Sequence, residues 1–247
     1  MSVPQSITID AKPSALDIDT TRTAMLVVDM QNDFGAEGGL MHRAGIDIGP
    51  IQAAAEPTAR VLATARKAGI KVIYLKMELR GDLSDAGAAD APNRLRMEPF
   101  GVGTAVQAPD GRPSRILIRD TWNTEILDEL APEPGDIIVS KHRFSGFYQT
   151  DLDMILKTLG VKYLVVTGCT TSVCVESTVR DAMFRDYTCL LLEDCMAEPV
   201  GSDLPRSNHE ASLLVMQLVF AWVTDSRALL RALHAQVSGR NGAFVAA

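Results

Sequence analysis

Cys174 is the residue with the clearest chemical potential in this chain. It lies in residues 167–182, TGCTTSVCVESTVRDA, directly after the apolar run Leu164, Val165 and Val166. Such a run reads as a buried strand, and Thr170, Thr171 and Ser172 are candidate helix N-caps. The segment therefore predicts a strand, a tight turn and a helix, with the sulfur in the first helical turn. Unpaired amides and the helix dipole favour negative charge there, so a thiolate would be stabilised. Taken alone, Cys174 fits the bland role of a small buried residue just as well.

Two further residues could complete a site. The run over 23–31, TAMLVVDMQ, reads as a buried strand ending at Asp29, and 136–141, DIIVSK, as a strand ending at Lys141. A thiol attacks an electrophilic carbon only after losing its proton. A carboxylate beside it can take that proton and later activate water. An ammonium would stabilise the thiolate and orient the carboxylate. The turn before Cys174 supplies amides able to receive an oxyanion, worth roughly 3–4 kcal/mol per donor. The products would be an acid and an amine or ammonia. Read separately, Asp29 could cap the next element and Lys141 could be a solvated strand end. His42, His142, His209 and His234 are scattered and read as surface or packing residues, with a Cys174–His142 dyad as the alternative. Ser145 is not in a nucleophile-elbow motif.

The elements that would position these groups alternate between strand and helix. Further strands are expected over 71–76, 161–168 and 188–193. Helices are expected from Pro50 to Lys67, then over 124–130, 151–160, 171–186, 206–222 and 225–235, with Gly69 and Gly160 as C-terminal stops. The strands are apolar throughout, which means both faces are covered. That pattern predicts an α/β fold, a mostly parallel sheet with helices on both sides and right-handed crossovers. Ligands in such folds bind beyond the carboxyl ends of the strands, near a switch in strand order. Asp29, Lys141 and the turn before Cys174 all fall at such ends. Residues 77–122 are rich in Gly, Pro, Asp and Arg and read as a long functional loop. Residues 1–20 read as an N-terminal arm, 21–238 as one domain and 239–247 as a tail.

Composition bounds the function. The chain has 247 residues, 47% of them hydrophobic, and 24 basic against 31 acidic side chains give a net charge of −7. That balance argues against nucleic acid or an anionic membrane as partner. No apolar stretch is long enough to span a bilayer, and the N-terminus has no secretory pattern, so the cytoplasm is the default location. The cysteines Cys169, Cys174, Cys189 and Cys195 form no Cys-x-x-Cys pair, which disfavours structural zinc and a disulfide framework alike. The apolar stretch over 213–223 exceeds what one helix face needs, and a homo-oligomer, dimer or tetramer, is expected.

Three segments, 25–34 (MLVVDMQNDF), 139–152 (VSKHRFSGFYQTDL) and 166–182 (VTGCTTSVCVESTVRDA), occur in one order. In them the chain resembles the isochorismatase-like cysteine hydrolases, over residues 20 to 225, and most of all the ureidoacrylate amidohydrolase branch. The resemblance implies a three-layer α/β/α, Rossmann-like hydrolase fold. It implies Asp29 as base, Lys141 as its partner and Cys174 as nucleophile. It also implies an oxyanion hole from the amides of Thr170 and Cys174, behind a cis Cys169–Thr170 peptide. The expected reaction is cleavage of a C–N bond in a small ureido or carbamoyl amide through a thioester. Biuret, triuret and N-carbamoyl amino acid hydrolysis are alternatives, as are vinyl-ether hydrolysis and a non-catalytic role. The metal-binding histidines of the nicotinamidase branch have no counterpart over 76–92, so neither a metal nor another cofactor is expected. Phe34, Glu78, Trp122, Asn123 and Tyr148 are expected around the substrate, with Arg80 available for a carboxylate.

Overall fold

The structure, a computed structural model, describes residues 6–245. Its first elements are two antiparallel strands, β1 (Ser6–Ile9) and β2 (Leu16–Asp19). Their alternate residues Ile7, Ile9, Leu16 and Ile18 are buried in the main core. From Ser6 onward the stretch read as an arm thus forms a covering sheet, its strands hidden in sequence by their length of four residues each.

β3 (Thr23–Val28) is buried at every position, as a central strand must be. Two short helices follow, α1 (Asn32–Gly35) and α2 (Leu40–Arg43), then the long α3 (Gly49–Lys67). Gly69, at φ +80°, lets the chain leave α3 and enter β4 (Lys71–Met77). The excursion read as a loop holds α4 (Pro92–Met97) and an antiparallel pair, β5 (Ala105–Gln107) and β6 (Pro113–Arg115). Two 3₁₀ turns, Trp122–Thr124 and Asp128–Leu130, replace the helix expected over 124–130. Ile126 between them bridges to Gln31, and that pairing excludes a continuous helix. Next come β7 (Ile137–Lys141), α5 (Leu152–Thr158), β8 (Tyr163–Cys169), α6 (Glu176–Met183), β9 (Thr188–Ala197) and α7 (Asn208–Val219). β10 (Trp222–Thr224) and α8 (Ser226–Val245) complete the order. The sequence reading carried the preceding helix to residue 222, left no strand at β10 and ended α8 about ten residues early; the last two residues of the expected tail lie outside the described ones.

Six strands form one parallel sheet in the order β10-β9-β8-β3-β4-β7. β4 and β7 lie to one side of β3, and β8, β9 and β10 to the other. This is the doubly wound arrangement, with its switch point between β3 and β8. Along β3, Ala24, Leu26 and Val28 face one layer with α5, α6 and α7, while Met25 and Val27 face the other with α3 and α8. The architecture is a three-layer α/β/α sandwich. At the switch, Gly168 (φ +117°) crosses β3 so closely that a Cβ would sit 2.1 Å from the Val28 carbonyl oxygen, which only glycine permits. On α7, Leu213 and Met216 turn inward, while Leu218 and Val219 remain 68% and 61% exposed. No helix of the described residues is long and apolar enough to cross a membrane.

Candidate active site

The carboxyl ends of β3, β7 and β8 converge beside the switch point. Just past β3 the chain turns through Asp29, at φ +53°, a left-handed conformation that Asp tolerates better than most residues. The Asp29 amide donates to the Leu75 carbonyl at 2.9 Å, which ties the turn to β4. Lys141 is the last residue of β7 and is fully buried. Its Nζ lies 2.7 Å from Asp29 Oδ2 and donates to the Arg143 carbonyl at 3.2 Å. Neither Asp29 oxygen takes a well-aligned hydrogen bond from a group in the described residues. Charge, more than hydrogen-bond geometry, therefore holds the pair.

Cys174 arrives from the other side. The helix expected over 171–186 begins with a π-type turn, Thr171–Val175, before α6; such wide turns recur at functional sites. Thr178 Oγ1 donates to the Cys174 carbonyl at 2.7 Å and accepts from the Gly146 amide at 2.9 Å. These bonds join the turn to the loop after β7. The Cys174 thiol lies beside Asp29 and Lys141, and the charges of both act on it. The Cys169–Thr170 peptide is cis. The Cys169 thiol donates to the Asp29 carbonyl at 3.1 Å and so links β8 to the same turn.

Burial sets the protonation states. It raises the Asp29 carboxyl above its ordinary value, opposed by the Lys141 charge. It also works against the Lys141 ammonium, but Asp29 and Cys174 outweigh it and hold the lysine charged. Burial, then the Asp29 charge, pushes the Cys174 thiol up, with Lys141 pulling the other way. The resting site therefore holds a thiol rather than the preformed thiolate expected from the sequence, next to a carboxylate that is a stronger base than in water. The three groups titrate as one set.

Cys174 lines a cavity of about 390 Å³. Its walls are mainly apolar, with Phe34 from α1, Met77 from β4, Met97 from α4, then Phe100, Leu117 and Phe144. Residues 77–122 therefore supply a wall, in keeping with the binding loop expected there. Of the expected substrate contacts, Phe34 is in place. Glu78 is committed elsewhere, with Lys76 at 3.0 Å, Arg119 at 3.1 Å and Ser140 at 2.5 Å around its carboxylate. Asn123 is fully buried and donates to Asp33 Oδ1 at 2.5 Å. Trp122 and Arg80 line separate surface clefts. Tyr148 is 46% exposed, with Arg143 over its ring. His142 meets Gln149 at 3.4 Å and is outside the cavity lining, so the alternative dyad is not assembled. Among the described residues no group of His, Cys, Asp and Glu could hold a metal.

The sequence reading missed Glu198 and His209. Glu198 Oε2 accepts from the Ser172 amide at 3.0 Å and from Ser172 Oγ at 2.5 Å, and His209 Nδ1 lies 2.9 Å from Thr171 Oγ1. Both brace the turn that carries Cys174. Glu198 directly follows β9, so the strand-end rule that pointed to Asp29 and Lys141 applied to it too. Met97, Phe100 and Leu117 carry no comparable local signal.

A doubly wound sheet with thiol, carboxylate and ammonium sealed together at its switch point has the make-up of a cysteine hydrolase. The chain belongs to the isochorismatase family: the Isochorismatase domain model matches residues 23–228. It is 36% identical over 238 residues to a ureidoacrylate amidohydrolase of Methylorubrum extorquens, covering 95% of this chain and 92% of that one. A ureidoacrylate amidohydrolase of Serratia proteamaculans is 35% identical over 236 residues, or 94% and 91% of the two chains. The solved cysteine hydrolase from Pseudomonas syringae superposes with a TM-score of 0.75 at 30% identity, over 96% of this chain and all of that one. N-carbamoylsarcosine amidase from Thermoplasma acidophilum gives 0.60 at 25% identity, over 83% and 96%. The chain is a hydrolase of this family.

Proposed function

We propose that this enzyme is a cysteine amidohydrolase that cleaves the C–N bond of a small ureido or carbamoyl amide, of the ureidoacrylate kind, through a thioester. The observation that carries the reading is the Lys141–Asp29 contact of 2.7 Å with no water access, joined by Cys174, whose thiol lines the cavity. The names of the relatives point to the same chemistry.

Asp29 takes the Cys174 proton as Sγ attacks the substrate carbonyl carbon. The carbonyl electrons move to oxygen, and the Thr170 and Cys174 amides receive the oxyanion. When the tetrahedral adduct collapses, the C–N bond breaks, Asp29 returns the proton to the departing nitrogen and a thioester remains. Asp29 then deprotonates a water that attacks the thioester. The acid leaves, and the proton passes back to Sγ. Lys141 stays charged throughout and keeps Asp29 ionised in a site whose burial would otherwise neutralise it.

The test is turnover of ureidoacrylate by the wild type and by Cys174→Ala, with intact-mass spectra of quenched reactions. The wild type should release product and show an acyl adduct on the Cys174 peptide. The variant should fold and lose at least ~10³-fold in kcat. Turnover retained by Cys174→Ala would refute the covalent route.

A further inference from the structure

The cavity that Cys174 lines is larger and more apolar than a ureido head needs. Its volume of about 390 Å³ lies in the range, roughly 300–1,000 Å³, that encloses drug-sized ligands. Leu40, Met41, Ile46 and Val102 extend the apolar wall already described. Beyond Thr170 and Cys174 of the reaction centre, the polar side chains around it are committed. Glu198 is held by Ser172 and by the Val200 amide at 3.2 Å, and Asn208 Nδ2 donates to the Val200 carbonyl at 2.9 Å. Arg96 is exposed, so its charge stays in water. The apolar lining also runs out to the surface, where Phe100, Phe144 and Val200 are 46%, 41% and 52% exposed. Large apolar side chains left in water around one opening mark a surface that a ligand covers. A carboxylate placed there would lose hydration without compensation, and Glu198 would repel it. A hydrocarbon would free both wall and rim from water.

We infer that the substrate of this site carries an uncharged hydrocarbon body, aromatic or aliphatic, that runs from the reacting carbonyl at Cys174 to the rim at Phe100, Phe144 and Val200. This assignment rests on the amidohydrolase reading for its head group, and it replaces the anionic tail of ureidoacrylate with an apolar one. A monosubstituted urea, R–NH–CO–NH2, is the plainest such compound. Cys174 Sγ adds to its carbonyl carbon, the C–NH2 bond breaks, and ammonia leaves with the proton held by Asp29. Water then releases the carbamic acid R–NH–COOH, which decays to the amine and carbon dioxide, and the proton returns to Sγ.

Methylurea, butylurea and phenethylurea keep one head and one leaving group, so ammonia release reads the body alone. Wild-type kcat/KM should rise along that series, by up to about fourfold per methylene buried. The compound 4-ureidobutyrate has the carbon chain of butylurea with a carboxylate in place of the terminal methyl, and it should be at least ~10-fold poorer than butylurea. The double variant Phe100→Ser/Phe144→Ser alters exposed positions and should stay folded. It should lower the phenethylurea-to-methylurea ratio of kcat/KM at least ~10-fold. A flat series, a 4-ureidobutyrate as good as butylurea, a ratio unmoved in the double variant, or turnover of ureidoacrylate with none of the alkylureas would each overturn the assignment. Should the wild type release ammonia from no compound, ureidoacrylate included, the amidohydrolase reading fails. Calorimetric titration of the same ureas then decides the body. Affinity that climbs with its size upholds the inference, and affinity that is flat or absent overturns it.

Discussion

A lysine ammonium sealed from water is costly unless a counter-charge sits against it, and in this enzyme Asp29 and Lys141 supply each other with one. The same burial makes Asp29 a stronger base, which has a consequence for pH. Activity requires ionised Asp29, so it is lost as pH falls through the raised carboxyl value. The acid limb of kcat/KM should therefore lie above the ordinary 3.8 of an aspartate. A pH profile with its acid limb at or below that value would show that Asp29 is not the base. These residues were legible in sequence because each closes an apolar run, so the type and the strand end coincide. Glu78 and Asn123 were misread because sequence does not reveal who already holds a polar group. Glu78 has Lys76, Arg119 and Ser140, and Asn123 has Asp33.

The turn from Thr171 to Val175 is the element that aims the nucleophile, and Glu198 pins it through both donors of Ser172. Removing that carboxylate leaves the part-buried Ser172 amide without its partner and frees the turn to shift. A displacement of about 1 Å can cost ~10²-fold in rate. Glu198→Ala should lower kcat by about 10–100-fold and slow alkylation of Cys174 by iodoacetamide in parallel, with KM altered less. Glu198→Gln keeps an oxygen for Ser172 and should recover most of the rate. A rise in KM with kcat intact would place Glu198 in substrate binding instead. The sequence reading found the strands and long helices because their apolar runs and stops are local signals. It missed the π-type opening of the 171–186 helix and the three-residue β10, where tertiary contacts rather than propensity decide the backbone.

Over the whole molecule, the doubly wound sheet followed from uninterrupted apolar strands, whereas the 77–122 excursion read as a loop because its elements are short. Its strands β5 and β6 have three residues each, and distant contacts hold it in place. Leu79 bridges to Ile118, and Asp33 on α1 accepts from the amides of Leu40 at 2.9 Å and Leu117 at 2.7 Å. Asp33 thus fastens the cavity wall to the sheet. Burial, against the pull of Asn123 and those amides, pushes its carboxyl up from 3.8 to about 6. Between those values the folded chain holds a proton that the unfolded chain has released. This contribution to stability is complete below the lower value and is lost as pH rises through the upper one. A shift of that size corresponds to roughly 3 kcal/mol at most. Asp33→Asn does not titrate, and its packing and hydrogen-bond defects are the same at every pH. Urea unfolding of both proteins between pH 4 and pH 7 therefore isolates the carboxyl, since Asp29 is common to both and cancels. The stability of the wild type relative to the variant should fall by about 2–3 kcal/mol across that range. A difference that stays flat would mean that Asp33 is ionised throughout, and that its three donors offset its desolvation in full.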